Sequence, residues 1–402
     1  VSFMLSAHHP TVGVEEEYFL VEPVTRTLRP AVCAVRADVS PTLGDRVAAE
    51  IMLCQIEART DPVTALDDLH EQIRCMRIEL ASAAARRGLR LMSAGTSVLG
   101  ADAALSPNPE SHYARSFATF RALDNEMITC ACHVHIGVTG LAQALQISNR
   151  LRPWLPALIA LTANSPYWEG RDTGYASWRT MAWARWPTAG PPPLFASVGH
   201  YEQLVGSLME AGTVLDRSSV FWDVRPSSHV PTVEIRVADA ASTAEDTLVL
   251  AAVVRALAVT ALAAEEAGEP VAGPAPELLR AAYWRAARDG LSGSALDLSS
   301  GRLVPAADII ECMLAEIEPA LTSLGDLDLV RTGWARLRAR SGGAGQQRAA
   351  YRERGSLLDV IDQLIRFTSP TRPRARSAPH HLSASSGCEA LQESPGSTSL
   401  SE

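Results

Sequence analysis

The chain has 402 residues, 47% of them hydrophobic and 20% charged, enough for one large domain or two modest ones with a sizeable buried core. Its 36 basic residues against 45 acidic ones give a net charge of -9, which argues against non-specific nucleic-acid binding and a polybasic membrane patch; a small-molecule partner is expected. All 36 basic residues are Arg and none is Lys, which excludes a P-loop lysine, a Schiff-base lysine and the strand lysine of protein kinases.

Cysteines at 33, 54, 75, 130, 132, 312 and 388 are odd in number and follow no framework spacing, as expected of free thiols in a reducing compartment. No apolar run reaches the roughly 18 uninterrupted residues of a membrane span, and no basic region followed by an apolar run opens the chain. A cytoplasmic protein is the expectation.

In chain order, residues 1–10 read as an N-terminal extension, and TVGVEEEYFLVEP, Thr11 to Pro23, opens the domain with a strand over 11–22. A strand turns Glu15 and Glu17 to one face and Glu16 to the other, with Val14 and Tyr18. Like charges side by side repel, so a cation is expected near Glu15 and Glu17, whereas Glu16 and Glu22 are expected in solvent. Asp67 to Gly88 reads as an amphipathic helix with Leu69, Ile73, Met76 and Leu80 on one stripe and Gly88 as its stop. LRLMSAGT and CACHVHIGV, Cys130 to Val138, read as strands. The helical run that follows is kinked or restarted by Pro153 and Pro156, and Tyr167 to Pro193, rich in Trp, Arg, Gly and Pro, reads as a functional loop.

PTVEIRVADA reads as a further strand, followed by helices over Asp246–Ala267, Pro276–Arg288, Pro305–Leu324 and Leu357–Phe367. Residues 11–367 are expected to form a single domain. Residues 368–402, rich in Ser and Pro, hold too few large apolar residues to offset their ordering entropy and are expected to be a disordered tail. Strands and helices do not alternate strictly, so the expected fold class is α+β, an antiparallel or mixed sheet with helices on one side.

Three strands carry polar pairs at a spacing of two: Glu15 and Glu17, His133 and His135, Glu234 and Arg236. One polar sheet face flooring a site would explain all three. Glu50 and Glu57 add two carboxylates, and such a set suits Mg²⁺ or Mn²⁺ with nucleotide phosphates completing the shell and Arg binding the phosphate. A zinc site on CACHVH is the competing reading, but on a straight strand Cys130 and Cys132 face away from His133 and His135 and belong with the helix-packed layer. His133 alone reads as a hydrogen-bonded core group. Trp168, Trp178, Trp183 and Trp186 could cap a core, but Arg171, Arg179 and Arg185 among them favour a pocket for carboxylate or phosphate.

These residues resemble the type 2 glutamate-cysteine ligases, a family also called carboxylate-amine ligases. GVEEEYFLVEP, CHVHIGV, the long segment from NRLRPWLP to TAGPPP, and FWDVRPSSHVPTVEIRVADA follow the family's order, and WRAARDGL and LGDLDLVR extend the similarity toward Phe367. GTSVLGADAALSPNPESHY is less like the family than its surroundings. The resemblance implies a glutamine synthetase-like fold, a curved antiparallel sheet forming a funnel with helices packed on its outer face. It implies Glu15, Glu17, Glu50, Glu57, His135 and Glu234 as metal ligands, Arg236 on the transferring phosphate of ATP, and Arg179 in SWRT as substrate-binding; Arg171, Tyr175 and Arg185 of the same loop are taken as substrate-binding candidates with it. The implied reaction is ATP-dependent amide formation through an acyl phosphate, with glutamate and cysteine as substrates and Mg²⁺ or Mn²⁺ as cofactor, in a possible homo-oligomer. A phosphotransferase of the same fold, a ligase using another amine, and a non-catalytic binding protein are the alternatives.

Overall fold

In the computed structural model, which describes residues 9–100, 105–271 and 273–369, the alternating run of the first strand becomes the centre of an antiparallel sheet. The sheet's strands are β1 (Val12–Val21), β2 (Val47–Ala49), β3 (Gln55–Arg59), β4 (Arg90–Met92), β5 (Ala131–Gly137), β6 (Val224–Pro226) and β7 (Thr232–Asp239). Their order is β2-β3-β1-β5-β7-β6, with β4 also paired to the far end of β1. The tail expected over 368–402 lies, from residue 370 on, outside the described residues, as do residues 1–8 of the N-terminal extension.

The even-numbered residues of β1 face the helices. Val12 and Val14 join Val134, Ile136, Val233 and Ile235 in the main core, under the Ala244–Glu266, Leu141–Leu151 and Leu155–Thr162 helices. Each such aliphatic side chain contributes about 1.5–3 kcal/mol on burial. The Ala244–Glu266 helix is long and apolar enough to cross a membrane, but it is largely buried inside this core. Its first turn is capped by Thr243, whose side chain accepts from the Asp246 N–H. The Leu66–Arg86 helix buries the predicted stripe and ends at Gly88, where φ is +70°.

Glu16 departs from its expected place in solvent. It faces the helix layer and is buried, because Arg77 of the Leu66–Arg86 helix meets it bidentately, Nη2 to Oε1 at 2.5 Å and Nε to Oε2 at 3.1 Å. Thr247 Oγ1 and the Tyr18 hydroxyl donate to the same carboxylate, and Arg77 also donates to the carbonyls of Ala241 and Ser242. A buried charge pair persists only when its remaining hydrogen-bonding capacity is met, and here it is.

Two helices, Leu327–Ala339 and Gly342–Arg354, come without a clear sequence signal. The second opens on Gly342-Gly343-Ala344-Gly345, in which three of four residues are poor helix formers. Gly343 packs so closely on Asn164 that a Cβ there would lie 2.3 Å from Asn164 Oδ1, so glycine serves packing and not flexibility. The Pro153 and Pro156 break occurs as expected, with a single 3₁₀ turn over Arg152–Trp154 between two helices.

Candidate active site

Glu15 and Glu17 of β1 face away from the main helix layer, and strand pairing gathers further acids around them. Glu17 lies opposite Glu57 of β3, Glu15 opposite His133 of β5, and His135 opposite Glu234 of β7. Two clusters result. In one, ligand atoms of Glu15, His133 and Glu234 lie within 4.8 Å of one another; in the other, those of Glu17, Glu50 and Glu57 do.

A β-bulge decides which histidine joins. Between Cys132 and Val134 the register of β5 on β7 shifts, so Arg236 and Val237 together oppose the single His133. His133 then stands among the acids, its Nδ1 at 3.2 Å from Glu15 Oε2 and 3.7 Å from Glu234 Oε1, its Nε2 at 3.8 Å from Glu17. His135, the expected ligand, instead has Nδ1 on Thr232 Oγ1 at 2.8 Å and Nε2 at 3.5 Å from Glu15. His133, which read alone as a hydrogen-bonded core group or one supporting a ligand, thus stands nearer the clustered acids than His135 does. Cys130 and Cys132 are buried with thiols pushed up by burial, and neither joins a cluster among the described residues.

The electrostatics fit cation binding. Burial pushes the Glu17 carboxyl up to about 8, with repulsion from Glu50 adding to it and Arg179 opposing. Burial likewise raises Glu57 well above its usual range, reinforced by Glu15, Glu50 and Glu17, and it raises Glu50. Burial also works against ionisation of Glu15, yet His133 and His135 outweigh it and hold that carboxyl well below the usual range. Burial lowers His133 to about 4, so at neutral pH it is the neutral imidazole that a metal requires. Its Nε2 and that of His135 are buried without a hydrogen-bond partner. Five carboxylates and one imidazole are the donor set of Mg²⁺ or Mn²⁺.

Arginines balance the acids. Arg236 forms an ion pair with Glu234 inside the site and reaches toward His133, and Arg225 of the edge strand β6 meets Glu234 with Nε at 2.8 Å and Nη2 at 3.3 Å. Arg225 carried no signal by itself, but its place directly opposite Glu234 makes it part of the site. Arg179 is buried, donates to the carbonyls of Arg236 and Val237, and lies 3.9 Å from Asp239. Asp239 accepts from Asn164 N–H, Ser165 and Ser177, and so holds the loop that carries Arg179.

Two cavities meet at Arg179 and Trp183. One, of about 500 Å³, is floored by Glu17, Glu50, His133, Arg225 and Arg236 and roofed by His112, Tyr113 and Arg115 of the Ser111–Phe120 helix. The other, of about 1100 Å³, is walled by Trp183, Trp186, Tyr283 and Trp284, with Arg152 and Asp223 in its lining. The other expected substrate residues line neither. Arg171 is exposed on a short hairpin, Arg185 pairs with Glu126, and the Tyr175 hydroxyl accepts from Trp284 Nε1 at 3.1 Å.

The model of the glutamate-cysteine ligase family 2 matches residues 11–362 of this chain. A relative from Mycobacterium sp. (strain KMS), provisionally named glutamate–cysteine ligase 2-2, is 44% identical over 367 residues, covering 90% of this chain and 99% of the relative. One from Saccharopolyspora erythraea, provisionally named glutamate–cysteine ligase 2-1, is 41% identical over 360 residues, covering 90% and 95%. Among solved structures, the glutamate–cysteine ligase of Francisella tularensis in complex with AMP superposes with a TM-score of 0.65 at 12% identity, covering 90% of this chain and 89% of that one. That likeness carries the fold, and the expected α+β class with an antiparallel sheet and outer helices is the one found. With the family match spanning nearly all of the described residues and the relatives matched along almost their whole length, the chain belongs to the glutamate-cysteine ligase family 2.

Proposed function

We propose that this protein is an ATP-dependent carboxylate-amine ligase that joins the γ-carboxylate of glutamate to an amine through an acyl phosphate. The observation that carries the reading is the pair of carboxylate clusters headed by Glu15 and Glu17 on one strand face, with Arg236 and Arg225 beside them. Glu15, His133 and Glu234 would hold one Mg²⁺ or Mn²⁺, and Glu17, Glu50 and Glu57 a second. Bound there, the ions supply charge neutralisation for phosphate oxygens.

The chain's own residues do the rest. Arg236 offers a planar fork to the phosphoryl group in flight, and Arg225 keeps Glu234 ionised and oriented while it does so. A substrate carboxylate oxygen attacks the γ-phosphorus and ADP departs; the amine then attacks the acyl carbon, the C–O bond to phosphate breaks, and the amine proton is released. No covalent enzyme nucleophile is needed, so the lack of Lys is no obstacle.

The test is ADP release with glutamate alone, with an amine alone, and with both, together with hydroxamate formation when hydroxylamine replaces the amine. Full turnover only with both substrates, and a hydroxamate dependent on ATP, support the ligase. ADP release that needs no amine and yields no hydroxamate favours a phosphotransferase.

A further inference from the structure

The 1100 Å³ cavity beyond Arg179 and Trp183 is lined by two buried charges that the proposed chemistry leaves unused, Arg152 and Asp223; Glu277 and Arg280, also in its lining, are exposed. Arg152 is only 5% exposed, yet it makes no ion pair among the described residues; its Nε donates to the Pro192 carbonyl at 2.7 Å. Asp223 is equally buried and also makes no ion pair among the described residues; Arg179 and Arg236 act on it only from beyond ion-pair distance, and the Tyr283 hydroxyl adjoins it. A desolvated charge without a direct ion-pair partner is costly, and both line the same space without pairing with each other. Burial raises the Asp223 carboxyl to about 6, so it is still ionised at neutral pH.

A cationic and an anionic side chain set apart in one cavity are complementary to a zwitterion. The wall between them is aromatic and proline-rich, which suits an apolar side chain and not a small polar one. Size agrees. Glutamate and cysteine together occupy about 500 Å³ if each heavy atom takes roughly the 30 Å³ that a water does. That fills about half of the cavity's 1100 Å³ even with both substrates placed in it. Trp284, 42% exposed at the rim, leaves room for a bulky group to enter.

Resting on the ligase reading above, the geometry points to this cavity as the site of the acceptor amine, and to an acceptor that is an α-amino acid with a large apolar or aromatic side chain. Arg152 takes its carboxylate and Asp223 its ammonium, and the tryptophan and tyrosine wall takes its side chain.

The experiment measures ADP release from the full chain with ATP, Mg²⁺, glutamate and, in turn, cysteine, phenylalanine, tryptophan, 2-phenylethylamine and hydroxylamine. Phenylalanine or tryptophan is expected to exceed cysteine in kcat/KM by about tenfold or more. Arg152→Met is expected to raise KM about tenfold more for phenylalanine than for 2-phenylethylamine, which lacks the carboxylate. Trp284→Ala, a rim change that spares the core, is expected to lower the ratio of phenylalanine to cysteine turnover. Preference for cysteine over every bulky amino acid would overturn the inference, as would an Arg152→Met effect that falls on the KM of ATP. A hydroxamate formed with hydroxylamine alongside no turnover of bulky amino acids overturns the inference and spares the ligase; no hydroxamate at all removes both.

Discussion

Glu234 and Arg236, two residues apart on β7, form an ion pair inside the polar site, with side chains only 4% and 11% exposed. The arginine is therefore held in place before any substrate arrives, by the same carboxylate that belongs to a candidate metal cluster. Arg236→Lys keeps the charge and loses the fork that contacts two oxygens at once. The expected result is a fall in kcat of about 10²-fold or more with little change in Tm. Near-normal kcat with a lowered Tm would assign Arg236 to holding the sheet alone.

His133 and His135 can be separated by metal binding. His133→Asn should weaken Mn²⁺ binding, followed by titration calorimetry, by about tenfold or more, because it removes a donor from the cluster with Glu15 and Glu234. His135→Asn should cost less, since His135 acts on Glu15 from the side. The reverse order would return the ligand role to His135.

Glu16→Gln tests the buried pair with Arg77. Breaking a buried ion pair from one side costs about 3–5 kcal/mol. A large loss of stability is expected, read as a lower urea midpoint, while the folded fraction keeps near-normal kcat because Glu16 faces away from the site. An unchanged midpoint would show that the pair contributes nothing.

Glu17 predicts a pH dependence of the metal-free protein. Its folded-state carboxyl is raised from its ordinary value to about 8, so the folded state binds the proton more tightly than the unfolded state does. The stabilisation is complete below the unfolded value, near 4.5, and is lost as pH rises through about 8. Without divalent cations, Tm should fall between pH 5 and about 8 from this group, and Glu17→Gln should reduce that fall while abolishing turnover. Added Mg²⁺ should raise Tm at pH 8 more in the wild type than in the variant, which keeps only the cluster of Glu15, His133 and Glu234. A Tm that is flat with pH in the wild type would remove the argument.

Much of this was readable from spacing. Period-two alternation put Glu15 with Glu17 and Glu234 with Arg236 correctly, since strand geometry alone sets which residues share a face. Which of His133 and His135 would stand closer to the acids was not readable, because it turns on a bulge that exists only when β5 and β7 are paired. Glu16 looked like a solvated acid because its partner, Arg77, is 61 residues away on a helix whose apolar stripe gave no sign of a buried cation. Arg152 and Asp223 were hidden for the same reason: each is ordinary in its own segment, and only the shared cavity makes them a pair.

The bulge at Arg236 and Val237 also fixes the phase of everything after it. Ala131 of β5 pairs with Asp239, so Asp239 lies on the site side, where it holds Ser165 and Ser177, although an unbroken alternation from Glu234 would send it into the helix layer. Deleting a single residue there would exchange inside for outside along the strand's end, burying a carboxylate among alkyl groups and releasing the Arg179 loop.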